Sequence, residues 1–172
     1  MKSKNISTKK IVMVALLAAL TVVGSMLRIK VPSVVGTSAF HLGNIMCALS
    51  GILLGPWFGG LAAGLGSALA DILSGYVIYG PATFLIKGMM ALVAFHGFKL
   101  LHNKCNKLFS RIISGIAAEI VMIVGYFVFA GLLYGFGPAA VNIPANAVQG
   151  IAGIVIGIIL FKIFEKSKTI IH

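Results

Sequence analysis

Residues 79–95 read YGPATFLIKGMMALVAF. Gly80-Pro81 is a helix-start signal, and the apolar run behind it carries a single charge, Lys87. Extended to residue 101, the run reaches the ~20 residues that a membrane span needs. An uncompensated ammonium within it would cost at least ~3 kcal/mol on insertion scales. The fold must therefore supply Lys87 with partners, and the rest of the chain shows where they can come from.

The whole chain reads like this stretch. It has 172 residues, is 59% hydrophobic, and carries 14 basic against 3 acidic side chains. Its mean hydropathy is +1.07. That is the composition of an integral membrane protein, here a single transmembrane domain over 1–172. The net charge of +11 does not point to nucleic acid, because of where it lies. Lys2, Lys4, Lys9 and Lys10 precede the first apolar run. Lys99, Lys104, Lys107 and Arg111 share one connection, and Lys162, Lys166 and Lys168 close the chain. Charge flanking apolar runs is a topology signal, and its partner is the anionic headgroup layer. Cys47 and Cys105 have no metal or redox spacing and read as small apolar fillers. The N-terminus has a basic start but no small-residue cleavage site, so residues 9–27 read as a retained span.

Six apolar segments follow, at about 9–27, 42–55, 57–74, 81–101, 109–134 and 141–164, and the fold class is all-α with six transmembrane helices. Gly55-Pro56 separates the second from the third as a tight hairpin rather than one kinked helix. Six crossings put both termini on one side. The positive-inside rule makes that side cytoplasmic, with Arg28 and Lys30 as exceptions. The connection 28–41, RIKVPSVVGTSAFH, is the longest outer loop and reads as a lid, or else as a plain connector. Small residues recur at intervals of four: Gly51, Gly55 and Gly59, then Gly60, Gly64 and Ala68, then Ala15 and Ala19 on the first helix. In lipid such faces let helix backbones approach closely. Within the second and third segments this reads as bundle packing; on the terminal helix it reads as a surface that can dock to another protein.

The polar residues inside the apolar segments are few. Asp71 lies roughly 6 Å inside the outer end of its helix and Lys87 roughly 9 Å inside the same face, at ~1.5 Å per residue. An Asp71–Lys87 pair is thus available, either as an ion pair and nothing more or as part of a polar cavity. Asn142, Asn146 and Gln149 stand at i, i+4 and i+7, one face of the sixth helix at similar depth. Amides both donate and accept, which suits a heteroaromatic ring with amide-like edges. His41 and Asn44, between the lid and the second helix, are placed to touch a ligand, and Tyr126 to stack on one. Tyr76, Tyr79 and Tyr134 read as interfacial anchors, with Phe40 and Phe129 nearby. Glu119, in the inner half of the fifth segment, fits no cluster, and Glu165 lies in the basic tail. His96, His102 and His172 have no metal spacing. The sequence offers no phosphate-binding loop and no nucleophile–base constellation, so it does not read as an enzyme, and any ATP must be used by another chain. From the residues, three functions remain: the binding subunit of an importer, a self-sufficient small-solute transporter or channel working through Asp71 and Lys87, or a scaffold without ligand.

Three stretches, TKKIVMVALLAAL, FHLGNIMCALSGILLGPWFGGLAAGLGSALADIL and GPATFLIKGMMALVAFHG, resemble the S components of energy-coupling factor (ECF) transporters. The likeness is to the branch linked to riboflavin, hydroxymethylpyrimidine and pyridoxine. It covers nearly the whole chain, most closely over 9–98. It implies a multi-pass protein of the bacterial plasma membrane that binds a small vitamin in an outward cavity under the first outer loop. It also implies partners: a transmembrane T component and two ATPases whose ATP drives import, with no cofactor on this chain. In this family an Ala-xxx-Ala face of the first helix meets the T component, which here maps onto Ala15 and Ala19.

Overall fold

The computed structural model describes residues 8–33 and 36–166. Lys2, Lys4, Lys168 and His172 lie outside them, as do the side chains of residues 28–40, Lys162, Glu165 and Lys166. In chain order the elements are α1 (Thr8–Met26), β1 (Arg28–Ser33), β2 (Gly36–His41), α2 (Gly43–Leu54) and α3 (Pro56–Leu73). A short 3-10 turn leads into α4 (Gly80–His102), and α5 (Lys107–Tyr134), α6 (Phe136–Ala140) and α7 (Ile143–Lys166) complete the bundle.

The side-chain distribution is that of a protein solvated by lipid. On α1 the buried stripe is Leu17, Thr21 and Ser25, while Ile11, Val12, Leu16 and Val23 are exposed. Thr21 Oγ1 returns its proton to the Leu17 carbonyl at 2.7 Å, so the buried hydroxyl is satisfied within its own helix. Ser50, Ser67, Thr83, Ser110 and Ser114 are also buried, whereas Leu65, Leu69, Leu85, Ile120, Val124 and Ile151 face out. Small and hydroxylated residues line helix contacts, and large apolar ones meet the hydrocarbon. Four helical stretches among the described residues are long and apolar enough to cross a membrane: Thr8–Met26, Val77–His102, Lys107–Tyr134 and Phe136–Leu160. At ~1.5 Å per residue, α2 is only about 18 Å long against a ~30 Å hydrocarbon core, so it begins well inside the layer.

The α2–α3 connection is a tight hairpin, as its sequence suggests. Gly55 takes φ +84°, a left-handed conformation that glycine adopts without strain, and Pro56 opens α3. The small residues before and after it are contact points. A methyl group added at Gly51 would overlap the Ala91 carbonyl of α4, and one at Gly59 the Ser50 carbonyl. Gly51→Ala is therefore expected to push α2 off α4 and destabilise the fold by about 1–3 kcal/mol. Gly60→Ala, whose new carbon would meet the Gly88 carbonyl at 3.5 Å, is expected to leave stability unchanged. Thermal unfolding of the purified protein compares the two.

The helices alternate in direction. Contacts of Gly64 with Phe84 and of Gly97 with Ser114 make α4 antiparallel to α3 and to α5. Contacts of Lys87 with Asn44 and of Gly51 with Ala91 make it parallel to α2. One end of the bundle thus gathers the start of α1, the Gly55 turn and the α4–α5 connection. Lys10 lies 5.7 Å over the Phe58 ring there, and Arg111 lies 6.0 Å over Phe98. We call this the basic end. The ribbon of β1 and β2 marks the other.

The outer connection and the last segment take definite form. The 28–41 connection is not an irregular loop but an antiparallel ribbon, in register from Arg28↔His41 to Ser33↔Gly36. Pro32 is tolerated because in a two-stranded ribbon each strand has a free edge where a proline costs no ladder bond. The last apolar segment, expected at about 141–164, is one helix, α7, with the short α6 standing before it. Pro144 lacks an N–H and is confined to a helix's first turn, so α7 starts at Ile143 and Asn142 lies in the turn before it.

Candidate functional polar layer

The polar layer forms where α2 begins. The Leu42 N–H donates to the Gly24 carbonyl at 3.0 Å, tying the end of the ribbon back onto α1. The next helical residues carry Asn44 into the middle of the bundle, where it is 1% exposed. Lys87, from the second turn of α4, is also 1% exposed and donates to Asn44 Oδ1. The opposite end of the same amide, Nδ2, donates to Glu119 Oε2 at 3.2 Å. Met122 Sδ accepts from both Lys87 Nζ at 3.1 Å and Asn44 Nδ2 at 2.9 Å. Asn44 therefore sits between two opposite charges, with its carbonyl toward the ammonium and its N–H toward the carboxylate. That arrangement offsets part of the cost of burying either charge.

The expected Asp71–Lys87 pair is not what the structure shows. Asp71 Oδ2 accepts from Thr83 Oγ1 at 2.6 Å. A threonine hydroxyl has one proton, so the Tyr126 hydroxyl, 3.0 Å from Thr83 Oγ1, is the donor in that contact. Lys87 Nζ lies 5.4 Å from the centre of the Tyr126 ring. Asp71 and Lys87 are thus joined through Thr83 and Tyr126. The physical reason is geometric: Lys87 turns toward α2 and α5, where Asn44, Met122 and Glu119 surround it.

Of the remaining candidates, His41 and Gln149 come together. The Gln149 amide nitrogen lies 3.3 Å from His41 Nε2 and, being a donor only, gives it a hydrogen bond. Gln149 is 4% exposed. Asn142 and Asn146 are half-buried; the Asn142 carbonyl accepts the Asn146 N–H at 3.0 Å, the first bond of α7. Glu119 is the member that reading the sequence missed. Side chains at Gly150 and Gly153 of α7 would crowd it, and it is only 7% exposed. The signal for it was present: a chain with so few carboxylates placed one of them in an apolar segment, opposite a lone buried lysine. Ala15 and Ala19 are exposed on α1, away from its buried stripe.

The helices pack around a buried polar layer, and the ribbon lies at one end of the bundle. A solved structure of the S component of a bacterial ECF transporter matches it with a TM-score of 0.75. That match is 23% identical and covers 92% of this chain and 96% of the other. The chain belongs to the ECF-type riboflavin transporter S component family, whose model matches residues 5–166. It is a multi-pass protein of the cell membrane in a family of vitamin and precursor transporters. It is similar to an uncharacterized protein of Pyrococcus woesei, 37% identical over 81% of this chain and 89% of that protein. It is also similar to the thiamine precursor transporter HmpT of Lactococcus lactis, 29% identical over 97% of this chain and 93% of that protein.

Proposed function

We propose that this S component binds a small heteroaromatic vitamin or vitamin precursor in the layer formed by Lys87, Asn44, Glu119, His41, Gln149 and Tyr126. The class comprises hydroxymethylpyrimidine, pyridoxine and riboflavin-like ring systems. The observation that carries the reading is Lys87, a fully buried ammonium held by an amide and a thioether, with its countercharge one residue away. A bundle that needed only packing would place an apolar residue there. The layer alternates donors and acceptors beside an aromatic ring, which is what the edge and face of a heteroaromatic ring require. Asn146 and Asn142 extend the amide wall and Asp71 orients Tyr126 through Thr83. The similarity to a thiamine precursor transporter favours the precursor end of the range.

In the same reading the chain crosses the membrane six times with both termini in the cytoplasm, and the ribbon covers the layer from outside. A T component docks on the Ala15/Ala19 face, and two ATPase subunits supply the energy from ATP. Hydroxymethylpyrimidine, pyridoxine, thiamine and riboflavin, each added to purified protein, make the test. A compound present at about 100 times its Kd is expected to stabilise the fold by about 2.7 kcal/mol, read as a rise in Tm. Mass spectrometry of ligand carried through purification identifies it independently. No shift with any of the four would leave a scaffold without ligand. Uptake in cells lacking the ATPases would point instead to a self-sufficient transporter.

A further inference from the structure

A cavity of about 40 Å³ lies between α2, α4, α5 and α7, in the half of the bundle toward the basic end. Most of its wall is apolar, including Leu49, Ile52, Ile154 and Ile158. Two lining side chains are charged: Glu119 and Arg111, the latter 8% exposed. Arg111, Gly115 and Glu119 are spaced by four on one face of α5, so the Cα atoms of the two charged residues stand about 12 Å apart along the axis. Across from them α7 contributes Gly153 and Gly157, which leave the space open.

The deep end of this cavity is the point where the Lys87–Asn44–Glu119 string stops. A carboxylate offers about four acceptor positions, and Asn44 fills one of those on Glu119. The volume exceeds the ~10–15 Å³ needed for a water molecule, and a charged oxygen on the wall gives such water a strong partner. On that scale it holds about three water molecules. We propose that water enters this cavity from the basic end, past Arg111, and reaches Glu119. The polar layer is then approached from two sides, by ligand beneath the ribbon and by water alone from the basic end. Water on that side takes over the bonds of Glu119 whenever Asn44 turns toward a ligand, with no opening of the ribbon. The inference stands on the cavity and its two charges, whatever the layer binds.

Hydroxyl radicals generated in situ by X-ray pulses label side chains that touch bound water, and mass spectrometry locates the label. In the full chain in lipid nanodiscs, Ile154 and Ile158 are expected to label roughly tenfold faster than Ile151 and Ile159, which face hydrocarbon without water. Equal slow labelling at all four overturns the proposal. Gly157 lies closer to the basic end than Ile154, and a carbon added there meets Ile45 Cγ2 at an ordinary 3.8 Å, so Gly157→Ala fits the fold. Gly157→Ala, and more strongly Gly157→Leu, is expected to slow labelling of Ile154 while thermal unfolding of the alanine variant stays at the parent value. Unchanged labelling of Ile154 in both variants means water comes from the ribbon side, which also overturns the proposal.

Discussion

The double variant Lys87→Met/Glu119→Gln is expected to fold about as stably as the parent and to have lost tight ligand binding. Lys87→Met alone leaves Glu119 as a buried carboxylate beside a neutral amide, and breaking a buried charge pair in this way costs about 3–5 kcal/mol. Neutralising Glu119 as well removes that cost, because glutamine at 119 can still accept from Asn44 and methionine follows the apolar stem of lysine. Binding behaves differently. A hydrogen bond from a charged donor contributes about 1.5–3 kcal/mol, so losing the ammonium weakens Kd by about ten- to a hundredfold in the double variant too. Thermal unfolding and calorimetric titration of the parent, the single and the double variant separate the two effects. A double variant that regains stability and binds as tightly as the parent would show that Lys87 is there for the fold alone.

Ala15→Trp and Ala19→Trp are expected to abolish uptake while ligand affinity and Tm stay at parent values. Both positions are exposed on α1, while Leu17, Thr21 and Ser25 hold that helix to the bundle. A large apolar side chain pointing into lipid has nothing to clash with. It blocks only a partner helix that comes close over a small-residue face, where a misfit of one ring prevents packing. Uptake in cells carrying the ATPases is expected to fall by at least about tenfold, an interaction loss of ~1.4 kcal/mol or more. Loss of ligand binding would instead make the face internal packing. Normal uptake would move the docking surface elsewhere.

The sequence disclosed the helices more completely than the contacts between them. The membrane class and the Gly55-Pro56 hairpin follow from composition and breakers. Each is a property of one segment. The partner of Lys87 is a property of three. Counting from helix ends placed Asp71 at its level because both lie near the same loop. Glu119 looked misplaced for the opposite reason: counting assumes every helix starts at the surface. The second helix starts lower, and α5, at 28 residues, is long enough for its Glu119 to meet Asn44 deep in the bundle. The ribbon was hidden because pairing across the turn, and no single local residue, decides it. His41 and Gln149 are far apart in the chain, and nothing in either neighbourhood announces their contact.

The shortness of α2 has a consequence for how a binding volume can arise in a bundle of straight rods. With about 18 Å of helix in a layer of ~30 Å, α2 falls some 12 Å short on the ribbon side. A recess above the start of α2 would come from subtraction, with no kink or bend in the neighbouring helices required. Its depth is then set by a single quantity, the residue at which α2 begins. Starting one residue later would deepen it by about 1.5 Å, and one turn earlier would fill much of it. Ligand size in such a protein can be retuned at one helix start, while the faces that hold the other rods together stay as they are.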